Sequence, residues 1–414
     1  MRQKVKGIMA HPLFSGSAIM VFGSNFANFF AYLYHVVIGR LLGPSLYGEL
    51  AATLSLIGMI SASFSFFSLV IVKFVSSAEE DEINGLLSWF MKMALIAGIG
   101  VGGIIVVATP FISSFFNIKN SLVVLTGPIF FFSIITLIYR SFLQGLLKFV
   151  PVTVLTIIEM VGRFVFGLLF ILLGLSVFGA LFGILVSIVL AVWITKYYYL
   201  NDYKIKASSV KFNKAGKVVS YAIPIFLTSV ASNSIYSTDV LLVKRFFDPS
   251  SAGIYASLST LGKIIFFGTS PVMAVMFPMI SKKHSRGESY NKILILSLLM
   301  TIGISLMILT IYAIFPELMI NMLFGGKYLS AAPYLVWFGL FITIFTIDSL
   351  FVNFYLSREK TKVVYFVVAT MIMQAVGIWF YHSSILEVIR ISIASVLFLL
   401  ISLVLYFAYD TKKR

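Results

Sequence analysis

Long apolar runs alternate with short polar breaks along the whole chain. The runs lie at roughly 13–39, 46–72, 84–109, 121–143, 150–173, 177–200, 219–243, 252–280, 293–316, 330–356, 361–381 and 388–409. Each is as long as a membrane-spanning helix needs to be, about 17–25 residues. The pattern predicts an all-α polytopic membrane protein with about twelve transmembrane helices. No soluble domain fits between the runs.

The breaks repeat. Arg40, Pro44, Ser45, Gly48 and Ala51 match Arg245, Pro249, Ser250, Gly253 and Ala256 at a single offset of 205 residues. The same offset pairs Ser24 with Ser229 and Asn28 with Asn233, and Pro110 nearly keeps it with Pro316. Such regularity in apolar sequence indicates an internal duplication, the mark of many transporter folds. Each repeat holds six runs, an even number, so both share one membrane orientation. Two six-helix bundles are expected, related by a pseudo-two-fold axis along the membrane normal. The predicted division is an N-terminal bundle over 1–200, a basic linker over 201–218 and a C-terminal bundle over 219–414.

Composition agrees with this picture. Charged residues make up 11% of the chain and hydrophobic ones 60%, against about 25% charged in soluble domains. The net charge of +16 is mostly a topology signal. An even number of spans puts both termini on one side. That side collects 22 of the 31 basic residues; the other carries Arg40, Lys119, Lys244, Arg245, Lys327 and Arg390. The positive-inside rule then places both termini in the cytoplasm of a multi-pass protein of the cytoplasmic membrane. Nucleic acid is not an expected partner; membrane lipids are. Cysteine is absent and the four histidines are scattered, so neither metal site nor cofactor is expected.

Charges inside the runs cost about 2.5–3.5 kcal/mol each on insertion scales, so each needs a reason. Six of them stand out as candidate site residues: Arg140, Glu159, Arg163, Asp239, Lys263 and Asp348. Glu159 and Arg163 stand at i, i+4 with the acid first, the order that favours an intrahelical pair. Arg140 either snorkels to lipid phosphates or contacts substrate. Lys263 lies about 16 Å inside its run with no partner within one turn, and is the leading candidate for an anionic ligand. Asp239 is either its counter-ion or a cation-coupling site, and Asp348 carries the same ambiguity. Helix 1 carries Ser17, Ser24, Asn28 and His35 on one face, and the seventh run reads Thr228 to Asp239 with many hydroxyls and amides. Both stripes are expected to face a watery cavity between the bundles. There, Asn28 and Asn233 serve either as interhelical contacts or as sugar-binding amides. Glu79-Glu80-Asp81-Glu82 is expected to be a solvated loop or a helix start, not a metal site.

Several segments resemble the polysaccharide transporter family, which includes the O-antigen-type oligosaccharide flippases. They are Gly39 to Gly48, Asp239 to Tyr255, Leu143-Gln144-Gly145 and Phe324 to Leu335. The family belongs to the multidrug/oligosaccharidyl-lipid/polysaccharide exporter superfamily. The resemblance implies a non-enzymatic transporter that moves a polyprenyl-linked oligosaccharide from the cytoplasmic to the outer face by alternating access. Its partners would be that lipid-linked substrate and the enzymes of polysaccharide assembly. A lipid-linked sugar carries a phosphate or pyrophosphate, so Lys263, Arg140 and Arg163, with Asn28 and Asn233, form the expected substrate set. Asp239, Asp348 and Glu159 are left for coupling or charge balance. The chain departs from the peptidoglycan-type flippases, which have fourteen helices. It also lacks a carboxylate in helix 1, where some extruders couple. An ion-coupled drug or metabolite exporter on the same fold is the alternative reading. A membrane-embedded sugar polymerase or ligase is a further one, but the short external loops do not supply catalytic groups.

Overall fold

A computed structural model describes residues 12–64, 66–76, 78–201, 203 and 226–412. The basic residues Lys204 to Lys217, the N-terminal Arg2, Lys4 and Lys6, and Pro224 lie outside the described residues. The elements are α1 (Pro12–Ala62), α2 (Phe66–Ser76), α3 (Glu80–Val107), α4 (Thr109–Phe116), α5 (Asn120–Gly145), α6 (Phe149–Phe170) and α7 (Ser176–Tyr199). After α8 (226–235) come α9 (Thr238–Phe246), α10 (Pro249–Ser285), α11 (Asn291–Ile314), α12 (Pro316–Leu323), α13 (Ala332–Leu356), α14 (Val363–Phe380) and α15 (Ile385–Lys412). Among the described residues nine helices are long and apolar enough to cross a membrane, and no element is a strand.

Two of those nine are double-length, Phe22–Ala62 and Phe149–Tyr199. Each is broken at a glycine. Gly43 takes φ 71° and ψ 173° inside α1, and Gly174 takes φ 88° in the π-helical turn Ile171–Leu175 between α6 and α7. Splitting both gives eleven crossings, and the remaining run, 219–243, is only partly described. The sequence places the first break across Arg40 to Gly48; the structure confines it to one left-handed residue, followed by Pro44 at the first helical position, where its missing N–H costs nothing.

The matching break in the second repeat is built differently. Asp248, which aligns with Gly43, is the N-cap of α10 and accepts from the backbone N–H of Ser250 (2.9 Å) and Ser251 (3.1 Å). The hydrogen bonds from Ser251, then Ser250, hold this exposed carboxyl below its usual pKa. A depressed pKa means the cap contributes above the unfolded value near 4 and is lost as pH falls through the folded one. Asp248→Ala should cost about 1 kcal/mol at neutral pH, the usual value of an N-cap, and the cost should vanish at acid pH. Melting curves of both proteins at two pH values check this.

The acidic run starts α3. Glu82 accepts from the Glu79 N–H at 3.4 Å, one half of a capping box. Two of the five glycines in α3 meet α5 closely: a Cβ on Gly98 would stand 2.8 Å from Phe131 Cδ2, and one on Gly102 would stand 3.2 Å from the Gly127 carbonyl oxygen.

The chain forms two compact units. One takes the chain up to Leu42 and again from Leu56 to Phe226; the other takes Gly43–Ser55 and Leu227–Arg414. Thirteen residues of the first repeat, Gly43–Ser55, therefore pack with the second. Tyr47 is fully buried there, its hydroxyl 2.7 Å from Thr260 Oγ1 and its ring against Phe324 and Tyr328. The two repeated breaks meet backbone to backbone. A Cβ on Gly253 would stand 1.7 Å from the Pro44 carbonyl oxygen, and one on Gly48 would stand 2.6 Å from Gly253 N. The duplication read from spacing is thus also a physical contact.

Candidate transport site

In the first unit the sequence expects Glu159 to neutralise Arg163 one turn away. The structure corrects this. Glu159, buried on α6, reaches across to α5 and forms its ion pair with Arg140. An intrahelical i, i+4 contact is worth only about 0.2–0.5 kcal/mol, so a partner on the packed neighbouring helix easily displaces it. The pair still leaves the Arg140 Nε without a hydrogen-bond partner among the described residues.

Arg163 is held by a ring instead. Its guanidinium carbon lies 4.1 Å from the centroid of Tyr34 on α1. Tyr34 is itself fixed, because its hydroxyl donates to the Ala180 carbonyl of α7 at 3.1 Å. No carboxylate lies within 4.0 Å of Arg163 among the described residues, and its buried Nε has no acceptor. The guanidinium thus keeps its charge, un-neutralised by any carboxylate of the described residues, and an anionic ligand could pair with it. Breaking the neighbouring pair checks the charge balance. Arg140→Gln removes the partner of the buried Glu159 and should cost about 1–3 kcal/mol, less than for a fully buried pair because Arg140 is 37% exposed. Adding Glu159→Gln should restore most of it. Thermal stability in detergent, read for both variants, is the measurement.

The second unit holds Lys263, Asp239, Asp348 and Asn233. The helix expected over 219–243 is interrupted: α8 ends at 235, Tyr236 and Ser237 form a turn, and α9 begins at Thr238. Hydroxyls bond one another at the gap, Ser234 Oγ to Thr238 Oγ1 at 2.6 Å, and Ser237 Oγ donates to Asn233 Oδ1 at 3.2 Å. Ser, Asn and Thr offer the backbone local alternatives to helical hydrogen bonds, so the same run that signalled polarity also permits the break. Discontinuous helices of this kind recur at transporter binding sites.

Tyr236, in the gap, joins the parts. Its ring lies 6.0 Å from Phe266 and 5.7 Å from Phe345, and Lys263 Nζ sits 5.3 Å from its centroid. Lys263 makes no ion pair among the described residues. Asp239, the counter-ion weighed for it, interacts with it only through space. The carboxylate of Asp239 is fully buried and already taken, accepting from the Tyr255 hydroxyl at 2.7 Å and from the Val240 N–H at 2.8 Å. Its hydroxyl partner leads into a buried polar interior, where Gln374 Nε2 donates to Ser392 Oγ at 3.0 Å.

Asp348, on α13 one turn beyond Phe345, is 1% exposed, and neither carboxylate oxygen has a hydrogen-bond donor among the described residues. Asn28 is exposed on α1 and Asn233 is half-buried. Each unit therefore contains a cation inside a span, held by a tyrosine face. Sequence reading named both cations but gave neither tyrosine a role: Tyr34 stands in an apolar run, and Tyr236 is one hydroxyl among many between Thr228 and Asp239. It also passed over Tyr255 and Gln374, whose polar ends in mid-run were the available clue.

The sequence model of the family described as polysaccharide biosynthesis protein matches residues 13–284, about two thirds of the chain. The chain belongs to that family. An uncharacterized membrane protein of Methanocaldococcus jannaschii is 27% identical over 271 residues, 61% of this chain and 64% of the relative's length. Among solved structures, the lipid II flippase MurJ in an inward closed conformation matches with TM-score 0.73 and 16% identity over 93% of this chain and 87% of its own. An inward-facing multidrug resistance MATE family transporter of the MOP superfamily matches with TM-score 0.77 and 12% identity over 92% and 94%. This member of the polysaccharide biosynthesis protein family is thus a multi-pass membrane protein, helical throughout its described residues, whose fold is similar to those of MurJ and the MATE transporter.

Proposed function

We propose that the protein flips a polyprenyl-linked oligosaccharide from the cytoplasmic to the outer face of the cytoplasmic membrane, by alternating access, for cell-surface polysaccharide assembly. The observation that carries this reading is the pair of span cations, Arg163 on Tyr34 and Lys263 on Tyr236, each held by an aromatic face rather than a carboxylate. A ring stabilises a desolvated cation by about 2 kcal/mol without neutralising it. The charge stays available to a phosphate or pyrophosphate in low dielectric, where charge-assisted hydrogen bonds are strong. The family match adds the polysaccharide context.

The test is a flipping assay in vesicles reconstituted with the full chain and defined lipid-linked sugars, read by an impermeant reagent. Protein-dependent translocation of a polyprenyl diphosphate sugar is expected. Transport of cationic drugs under an ion gradient, with no lipid translocation, would establish the exporter reading instead.

Asp348 supports coupling to an ion. A buried carboxyl with no donor around it is costly unless it binds a proton or cation for part of the cycle. Asp348→Asn should abolish the stimulation of flipping by an imposed proton or sodium gradient while leaving slow, gradient-independent flipping. Equal stimulation in both proteins would remove Asp348 from coupling.

A further inference from the structure

The short helix α12 presents three sectors. Phe315, its N-cap, with Leu318 and Met322 follows i, i+3, i+7, one face of a helix. They are 52%, 57% and 62% exposed. Glu317 and Asn321, at i, i+4, form an exposed polar face beside it. Ile320 is fully buried and pins the third sector to the body. The helix begins two residues after the end of the spanning helix α11 at Ile314.

The equivalent place in the first repeat holds α4, which begins two residues after α3 ends at Val107. Phe111 there is 70% exposed and stacks on Phe115, ring centroids 5.8 Å apart. Ser114 turns its hydroxyl back to the Phe111 carbonyl at 3.0 Å, so that face shows no open donor. Thr109 is buried. Both helices carry proline at the start, and each is followed by an exposed lysine, Lys119 and Lys327.

We propose that α12 and α4 are interfacial anchors that lie in the membrane surface, with Phe315, Leu318, Met322 and Phe111 sunk in the lipid headgroup and upper acyl region. The occupant of the apolar face follows from position. Each helix starts where a span ends, so its level is the membrane boundary. The three sectors of α12 match the three media there: acyl chains, water and protein. Amphipathic helices in this setting bury their apolar face about 5–10 Å into the boundary. The flanking lysine sits at the level of lipid phosphates. The inference does not depend on what the protein transports; it needs only that α3 and α11 cross the bilayer.

The natural absence of cysteine makes the test direct. Single variants Leu318→Cys, Phe111→Cys and Glu317→Cys of the full chain are labelled with an environment-sensitive fluorophore and reconstituted in phosphatidylcholine vesicles. Quenching by lipid brominated near the glycerol end of the acyl chain is compared with quenching by aqueous iodide. The labels at 318 and 111 should be blue-shifted, with lipid quenching roughly twofold stronger than at 317; the label at 317 should respond to iodide. Iodide quenching at 318 equal to that at 317 would overturn the proposal. Shielding of 318 from both quenchers would overturn it too, since a second protein chain would then cover the face.

Discussion

Lys263→Ala should abolish flipping in reconstituted vesicles without lowering the amount of folded protein, and Lys263→Arg should keep part of it. The ammonium lies deep in α10 with a tyrosine ring as its neighbour and, among the described residues, no carboxylate within ion-pair distance. Removing it exposes no stranded partner, because the Asp239 oxygens are held by Tyr255 and Val240. Folding should therefore survive. What is lost is a charge-assisted bond to the substrate head, worth about 1.5–3 kcal/mol, or roughly a 10- to 100-fold fall in apparent affinity. Arginine keeps the charge but brings a planar fork into a place shaped for a point charge, so partial function is expected. The double variant Lys263→Ala with Asp239→Asn separates the readings. If Lys263 binds substrate, the double variant is as inactive as the single one. Full activity in it would reduce Lys263 to a balance for Asp239.

The second large effect is structural. Gly253→Ala should prevent assembly of a stable protein, whereas Gly303→Ala should be tolerated. At Gly253 the new methyl would stand 1.7 Å from the Pro44 oxygen and 2.7 Å from its Cα. Both are backbone atoms, anchored by the buried Tyr47 a few residues on, so nothing flexible can give way. Overpacking costs about 1–3 kcal/mol and more when backbone must move. Gly303 meets nothing within 4 Å, and alanine gains about 0.8–1.0 kcal/mol in helix propensity. Thermal unfolding of both variants by fluorescence-detected size exclusion decides this. Comparable melting for Gly253→Ala and the parent would show that the two breaks are not in firm contact.

The spans were legible because twenty apolar residues have few alternatives in a chain so poor in charge, and the repeat was legible because Pro, Gly and Arg stand out in such sequence. The positions of Lys263 and Asp348 were readable for the same reason. Their partners were not. Whether Glu159 turns along its own helix to Arg163 or across to Arg140 depends on which helix packs beside it, and periodicity is silent on that. Arg163 and Tyr34 lie far apart in the chain, and only tertiary packing joins them. The break at Tyr236 and Ser237 went unread because neither Gly nor Pro marks it; hydroxyl competition for the backbone does. Nor does the offset of 205 say that the matched segments touch.

That contact also sets an order of events during synthesis. Tyr47 and Thr260 are 213 residues apart, and at about 5–20 residues per second the ribosome needs roughly 10–40 s to make the stretch between them. For that time the hairpin kinked at Gly43 waits for Thr260 and Gly253, the groups that Tyr47 and Pro44 meet in the folded protein. The segment Gly43–Ser55, made well before α10, is thus finished only after it. A chain truncated before α10 would leave Tyr47 and Gly48 open to lipid, and membrane quality control would have that exposed hairpin as its cue.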